Sequence, residues 1–386
     1  MQVVISGSFW SQPTVGSGQY LHGLLRCLPR VAAEHHYLLL TPAYLPPGPG
    51  LPPGVDGACL KTPFDRINDN LAKLWFEQAA FPRMAARLAN HNAGVALVPY
   101  FAPPLYCRLP VVTTVGDIVP LVLPEYRGGA HVRAYLTLAR RAVRRSAHVL
   151  TFSAHSRADI ITHLGLPPER ITVVPLAAGE QFTPGDSETA REEVARRYGI
   201  DTPFIYYVGG LDARKNVATL VRAFALLRSR GVQAQLVIAG RPLGRDPRLF
   251  PDLDGLIADL ELGSSVKRID VPAADGPLFY RACTVFAYPS RYEGFGLPPL
   301  EAMACGAPVV TSDASSLPEV VGTAALRVAP DDVVGWAAAL GRVLSDAHLQ
   351  ADLRAQGLAR AAQFSYRKVA EETLRVLERV GAWRAG

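Results

Sequence analysis

Two carboxylates eight residues apart, Glu293 and Glu301, lie within Tyr288-Pro-Ser-Arg-Tyr-Glu-Gly-Phe-Gly-Leu-Pro-Pro-Leu-Glu301. An apolar run ends at Tyr288, a Gly-rich turn follows, and a helix begins near Pro298, where proline is tolerated in the first turn. Such a turn presents backbone N–H groups at a helix N-terminus, a natural place for anionic or polyhydroxy ligands. Gly294 and Gly296, with Phe295 and Leu297 beside them, let the backbone come close to a ligand. Both glutamates are expected to face one cleft and to accept hydrogen bonds from ligand hydroxyls. A plain turn and a solvated helical glutamate would produce the same residues, so the motif gains weight only in company.

That company is Tyr206-Tyr-Val-Gly-Gly-Leu-Asp-Ala-Arg-Lys-Asn216. A strand ends at Gly209-Gly210, and Arg214 and Lys215 precede a helix whose expected cap is Asn216. Two cations beside a helix N-terminus make a diphosphate pocket. Lys215 stands out because the chain has only five lysines among its 40 basic residues. A third segment, Gly16-Ser-Gly18-Gln-Tyr20, opens a helix after the first strand and resembles half of a dinucleotide fingerprint. Leu21 stands where its third glycine belongs, and no acidic residue closes the second apolar run at Leu40-Thr41-Pro42, so a nicotinamide reading fails.

The elements that must position these residues follow from periodicity. Continuous β-branched and apolar runs at 3–5, 37–40, 95–98, 111–115, 149–152 and 171–174 alternate with helical patterns at 19–31, 70–88, 132–145 and 156–164. Runs without polar alternation suit strands buried on both faces, hence a parallel sheet covered by helices. The alternation restarts with runs at 204–208, 235–239, 266–271, 285–288, 309–311 and 326–328 and helices at 218–230, 277–282, 299–304 and 332–344. The class is therefore α/β, with two Rossmann-like domains. The segment Pro175–Asp186, rich in Pro and Gly, reads as the linker, and Pro42–Gly57 as a loop. A final helix is expected over Tyr366–Val380.

Composition bounds the rest. At 386 residues and 49% hydrophobic, the chain can bury two cores. Five scattered cysteines without a C-x-x-C argue against disulfide or zinc frameworks and fit a reducing cytosol. The most apolar stretch, Val95–Pro124, is broken by six prolines and carries Arg108 and Asp117, so it is no membrane span. Asp252-Leu-Asp254 has the D-x-D pattern of metal sites, yet its place after Pro251 and before an apolar helical run reads as a helix cap. No metal site is expected.

From Tyr126 to Ala158 the chain has seven arginines and no acidic residue. On a helix, Arg133, Arg140, Arg141, Arg144 and Arg145 fall on one side, and Leu136, Ala139, Val143 and Ala147 on another. Such a helix packs its apolar side on a sheet. Its basic side suits docking to an anionic, lipid-borne ligand at a membrane surface. Aromatic residues do not interleave with these arginines, which argues against nucleic acid.

Taken together, the motifs resemble the retaining glycosyltransferases of family 4, across nearly the whole chain. Glu293-x7-Glu301 is that family's hallmark; the 209–216 loop, Asp117-Ile-Val-Pro, Ser153-Ala-His-Ser-Arg157 and Gly306-Ala-Pro-Val-Val310 also look like it. The resemblance implies a GT-B fold with two domains facing across a cleft, 1–178 on the acceptor side and 179–364 on the donor side, and a helix from 365 to 386 crossing back to the first. It implies a nucleotide-diphosphate sugar as donor substrate, GDP- or UDP-linked, with no cofactor. Glu293, Lys215, Arg214 and Asp117 would be catalytic. Gly16, Gly18, Gly210, Arg214, Lys215, Glu293, Gly294, Phe295, Gly296 and Leu297 would bind the donor, with Glu301 on its ribose. Charge building on the leaving diphosphate would be met by cations and helix N-termini, without a metal. A hexose, mannose favoured, would pass to a glycan or lipid-linked acceptor, in the cytoplasm or at the inner face of the membrane. Gly116 departs from the pattern, since the family often has a histidine there that touches the donor sugar. That departure keeps open a second class of function, a nucleotide-sugar binder without turnover, which product formation would separate from an enzyme.

Overall fold

The computed structural model describes residues 1–88, 94–242, 244 and 246–382. The chain divides into two units, Met1–Leu176 with Ser365–Gly386, and Ala177–Phe364. The first unit is therefore discontinuous in sequence.

Unit 1 holds a seven-stranded sheet: β1 (Gln2–Ser6), β2 (His36–Pro42), β3 (Val55–Leu60), β4 (Gly94–Val98), β5 (Val111–Thr114), β6 (His148–Thr151) and β7 (Ile171–Val173). Its order is β3-β2-β1-β4-β5-β6-β7, with every pairing parallel. Both faces are covered, and Val4, Leu40, Phe76, Phe81, Ala96 and Val98 meet in one core cluster. A second cluster under the Ala130–Arg145 helix joins Val115, Val143, Val149 and Ile160.

The Tyr366–Ala382 helix belongs to this unit. It lies against the Gly16–Val31 helix, where a side-chain carbon at Gly23 would come within 2.1 Å of the Tyr366 ring. Tyr366 donates to Gln19 O at 3.2 Å.

Unit 2 holds a six-stranded parallel sheet: β8 (Phe204–Val208), β9 (Gln235–Ala239), β10 (Val266–Ile269), β11 (Val285–Tyr288), β12 (Val309–Ser312) and β13 (Leu326–Val328), in the order β10-β9-β8-β11-β12-β13. The order reverses between β8 and β11, and in unit 1 between β1 and β4. Open parallel sheets bind ligands outside the carboxyl ends of the strands at such reversals.

Several local expectations need correction. Strand β3 begins at Val55, inside the segment read as a Pro/Gly-rich loop, and is an edge strand with only Val55 and Leu60 buried. The single helix expected over 70–88 is broken by a π turn at Phe76–Ala80, which rotates Phe76 and Glu77 into the core. Helices Ser187–Tyr198 and Ala347–Ala361 had no counterpart in the periodicity reading, because few of their residues are buried.

Candidate functional site

Two loops leave adjacent strands at the reversal point of unit 2, one after β8 and one after β11. They are knitted together by backbone and arginine side-chain bonds. Arg291 N donates to Arg214 O at 2.8 Å, and Arg214 Nη1 donates to Tyr292 O at 2.7 Å. Arg291 also donates to Ala213 O, and ion-pairs with Asp331 at 2.6 Å.

The knot brings Lys215 to Glu293. Nζ lies 2.5 Å from Oε1, and Arg214 Nη1 lies 3.3 Å from the same oxygen. Tyr288 OH donates to that oxygen at 3.0 Å and Ser290 Oγ at 2.6 Å. Lys215 also donates to Tyr288 OH at 2.7 Å. Burial pushes the Glu293 carboxyl up, but Lys215, Arg214 and these hydrogen bonds outweigh it and bring it down to about 2. Burial lowers the Lys215 ammonium, opposed by Glu293. The pair is charged, and one oxygen carries most of the contacts. Asp212 Oδ1 stands 3.5 Å from Arg214 Nε, so two cations and two carboxylates share the site.

Glycines shape these loops. Gly209 and Gly240 take φ of +150° and +153°, and a side-chain carbon at Gly240 would meet Gly209 O at 2.0 Å. Tyr207 OH fixes Gly210 O at 2.6 Å. Gly296, at φ +121°, is the N-cap of the Leu297–Cys305 helix and supplies no capping side chain; Pro298 and Pro299 carry no N–H and Leu300 N donates to Gly296 O at 3.4 Å, so the first turn offers a ligand no amide beyond that of Leu297. Ser316 Oγ holds Glu293 O and Phe295 O at 2.9 and 2.6 Å, and Glu293 N donates to Ser315 Oγ at 2.8 Å. Gly294 and Phe295 are thus clasped from the loop after β12.

Glu301 is set apart. It lies on the Leu297–Cys305 helix and accepts from Tyr280 OH at 3.0 Å. Among the described residues the two glutamates share no hydrogen-bond partner. Burial raises the Glu301 carboxyl to about 7, with no cation to offset it. One glutamate is thus held ionised and its neighbour is poised to titrate near neutrality.

Asn216 corrects the expected helix cap. It adopts a left-handed conformation, φ +58°, after a 3-10 turn at Ala213–Lys215, and its side chain does not cap the Val217–Ser229 helix. Instead Nδ2 donates to Pro330 O at 2.7 Å, and Oδ1 accepts from Thr219 at 2.9 Å. Its role is to tie the basic turn to the segment after β13.

Gly16, Gly18 and Asp117 belong to unit 1, the other expected site residues to unit 2. Gly16 starts a helix whose N-cap, Val15, offers no side-chain bond, and it faces open space. Gly18 is obligatory for packing, since a side-chain carbon there would lie 1.8 Å from Gln12 O. Asp117, exposed at the end of the β5 loop, accepts from Val119 N at 3.3 Å. A side-chain carbon at Gly116 would come within 2.8 Å of the Phe152 ring.

Asp252 caps the Leu253–Asp259 helix through Gly255 N at 2.9 Å, and Asp254 pairs with Arg268 at 2.5 Å. Among the described residues, one group of metal-capable side chains gathers, Glu34, His35 and Glu378 in unit 1, with both carboxylates exposed. Among the described residues no helix is long and apolar enough to cross a membrane, and no disulfide joins the five cysteines.

Sequence reading missed Tyr288, Ser290, Ser315, Ser316, Asp212 and Tyr280. Tyr288, Ser290 and Asp212 sit inside the motifs, where spacing marked them without a role. Ser315, Ser316 and Tyr280 arrive from elsewhere in the chain and left no local signal.

Residues 190–360 match the family model described as glycosyl transferases group 1, and residues 15–177 match the glycosyl transferase 4-like domain. The O-antigen chain mannosyltransferase B of Escherichia coli is 35% identical over 269 residues, 68% of each chain. The MMP alpha-(1->4)-mannosyltransferase of Mycolicibacterium hassiacum is 34% identical over 64% of this chain and 57% of its own length. Among solved structures, sucrose-phosphate synthase from Thermosynechococcus elongatus superposes with a TM-score of 0.76 over 99% of both chains, at 22% identity.

Proposed function

We propose, from the premise that this chain belongs to family 4 of the glycosyltransferases and has their GT-B fold, that it transfers mannose from a nucleoside-diphosphate donor to a glycan or lipid-linked acceptor. The observation that carries the reading is the Arg214–Lys215–Glu293 cluster at the sheet reversal of unit 2. Mannose as the transferred sugar is supported by the names of the two relatives described above.

Unit 2 would hold the donor and unit 1 the acceptor. The diphosphate would lie against Arg214, Lys215 and the Leu297 amide at the start of the Leu297–Cys305 helix. Lys215 and Arg214 already bind Glu293, so the diphosphate adds to a preformed charge network rather than meeting bare cations. Departure of the diphosphate puts negative charge on its bridging oxygen, and these groups stabilise that charge with little reorganisation. Glu293, held ionised, would receive hydroxyls of the transferred sugar and position its anomeric carbon. Glu301 would receive ribose hydroxyls. Asp117, on the acceptor unit, would border the reacting hydroxyl. Transfer would proceed with retention and without a metal, and contact with an anionic membrane through the 130–145 helix would bring lipid-linked acceptors within reach.

A panel of GDP- and UDP-sugars, assayed for turnover with product stereochemistry read by NMR, tests the reading. GDP-mannose turnover giving an α-linked product is expected. Binding without any product would favour the alternative, a nucleotide-sugar binder, to which Gly116 points. Turnover of only a non-mannosyl donor would overturn the choice of sugar.

A further inference from the structure

The Arg-rich helix is not uniformly a solvated face. Arg133, Thr137 and Arg140 recur at helical spacing on the Ala130–Arg145 helix and form one wall of a cleft of about 310 Å³. Pro120, Leu121, Arg127 and His163 also line it. Leu136, expected on the packing side with Ala139 and Val143, lines this cleft instead. Its volume is at the lower end of the range for ligand pockets.

The lining contains three guanidinium groups, one imidazole and no carboxylate. Carbonyl groups hold two of the guanidiniums in place. Arg140 donates to His163 O at 3.2 Å, at the C-terminus of the Ala154–Leu164 helix, and Arg127 donates to Leu121 O at 3.4 Å. Some arginines elsewhere lie against acids, as in Arg291–Asp331, Arg268–Asp254 and Arg196–Glu193, and others, such as Arg144 and Arg360, are likewise held by carbonyls. Here their mutual repulsion has no counter-charge in the lining. Planar guanidinium forks gathered around one cavity match phosphate oxygens, which accept two parallel N–H bonds from each fork. The wall at Leu121 directly continues the Asp117 loop, so the cleft is attached to the segment expected to border the reacting hydroxyl.

We propose that this cleft is an acceptor subsite that binds a phosphate or diphosphate group, at Arg127, Arg133 and Arg140. The inference rests on the proposed transferase reading and deepens it: the acceptor carries a phosphoryl group some distance from the hydroxyl that receives the sugar. The phosphate belongs either to a soluble phosphorylated acceptor or to a lipid-linked one at the bilayer surface.

Inorganic pyrophosphate is the probe, titrated calorimetrically into the full chain after the donor site has been saturated with nucleoside diphosphate. One site per chain is expected, and Arg127→Gln/Arg133→Gln should weaken it by at least about tenfold. Arg141→Gln, which removes the same charge from the same helix outside the lining, should leave it unchanged. A thermal melt of each variant checks folding, and Arg133→Lys, which keeps the charge but loses the fork, should fall between wild type and the double variant. Co-sedimentation with phosphatidylcholine vesicles, with and without phosphatidylglycerol, separates the sources. Parallel loss of anionic-vesicle binding in the double variant places the phosphate at a bilayer, and unchanged vesicle binding places it on a soluble acceptor. No pyrophosphate binding, or equal weakening by Arg141→Gln, overturns the subsite. Failure of every sugar nucleotide to turn over would instead sink the transferase reading, and pyrophosphate binding would still be measurable.

Discussion

Lys215 Nζ and Glu293 Oε1 lie 2.5 Å apart although 78 residues separate them in the chain, and both side chains are almost buried. Breaking a buried pair from one side strands a charge, which commonly costs about 3–5 kcal/mol. Lys215→Ala should therefore lower the melting temperature as well as turnover. Lys215→Ala/Glu293→Gln should recover stability without recovering activity. Thermal melts and steady-state kinetics on the three proteins check this; full recovery of turnover in the double variant would remove both residues from the chemistry.

Arg214→Ala should weaken donor diphosphate binding, by about 1.5–3 kcal/mol for a lost charge-assisted bond. It should also loosen the 290–293 loop, because Arg214 Nη1 holds Tyr292 O. Titration with nucleoside diphosphate measures the first effect. Wild-type affinity would show that the cluster does not clamp phosphate.

The two glutamates should fail differently. Glu301→Gln should mainly raise donor KM, since ribose contacts are alike in ground and transition states. Glu293→Gln should mainly lower kcat. Equal loss of stability alone in both variants would make the pair structural.

Glu301 also carries a pH signature. Burial raises its carboxyl from 4.5 to about 7, so the folded chain holds a proton that the unfolded chain has released. That contribution is present in full below about pH 4.5 and lost as pH rises towards 7, amounting to about 3 kcal/mol at 1.36 kcal/mol per unit. Donor hydroxyls would favour the ionised form, so donor binding near pH 6 should release a proton. Calorimetry in buffers of different ionisation enthalpy reads this release, and Glu301→Gln should abolish it. Buffer-independent heats in the wild type would refute the ribose assignment.

Transfer should survive EDTA. Asp252 caps a helix and Asp254 pairs with Arg268, so each carboxylate of the D-x-D pattern has a protein partner. Loss of activity in EDTA, restored by Mg²⁺ or Mn²⁺, would overturn this.

How much was legible depended on where the constraint sat. Strands β1, β4, β8 and β11 are buried on both faces, so their apolar runs announce them. Edge strand β3 and the Ser187–Tyr198 helix bury two residues each, Val55 and Leu60 in one and Ala190 and Val194 in the other, too few to leave a period. For the site, Arg214, Lys215, Glu293 and the glycines could be read from two local motifs. Their mutual pairing could not, because it depends on the β8–β11 adjacency, which arises only when the sheet order reverses. Gly116 illustrates the opposite limit. Its sequence meaning was an absence, and only the structure shows Phe152 filling the space above it.

The discontinuity of unit 1 bears on how the chain is made. A ribosome releases residues 1–176 long before 366–382 exist, yet the surface of the Gly16–Val31 helix around Gly23 is covered by Tyr366. During synthesis of unit 2 that surface waits unprotected, and unit 1 completes last rather than first. Unit 2, whose residues are continuous, can fold alone in the interval. The nascent protein should therefore be most exposed to chaperones and proteases at its oldest segment, and a stop codon before Tyr366 should damage the part of the molecule translated earliest.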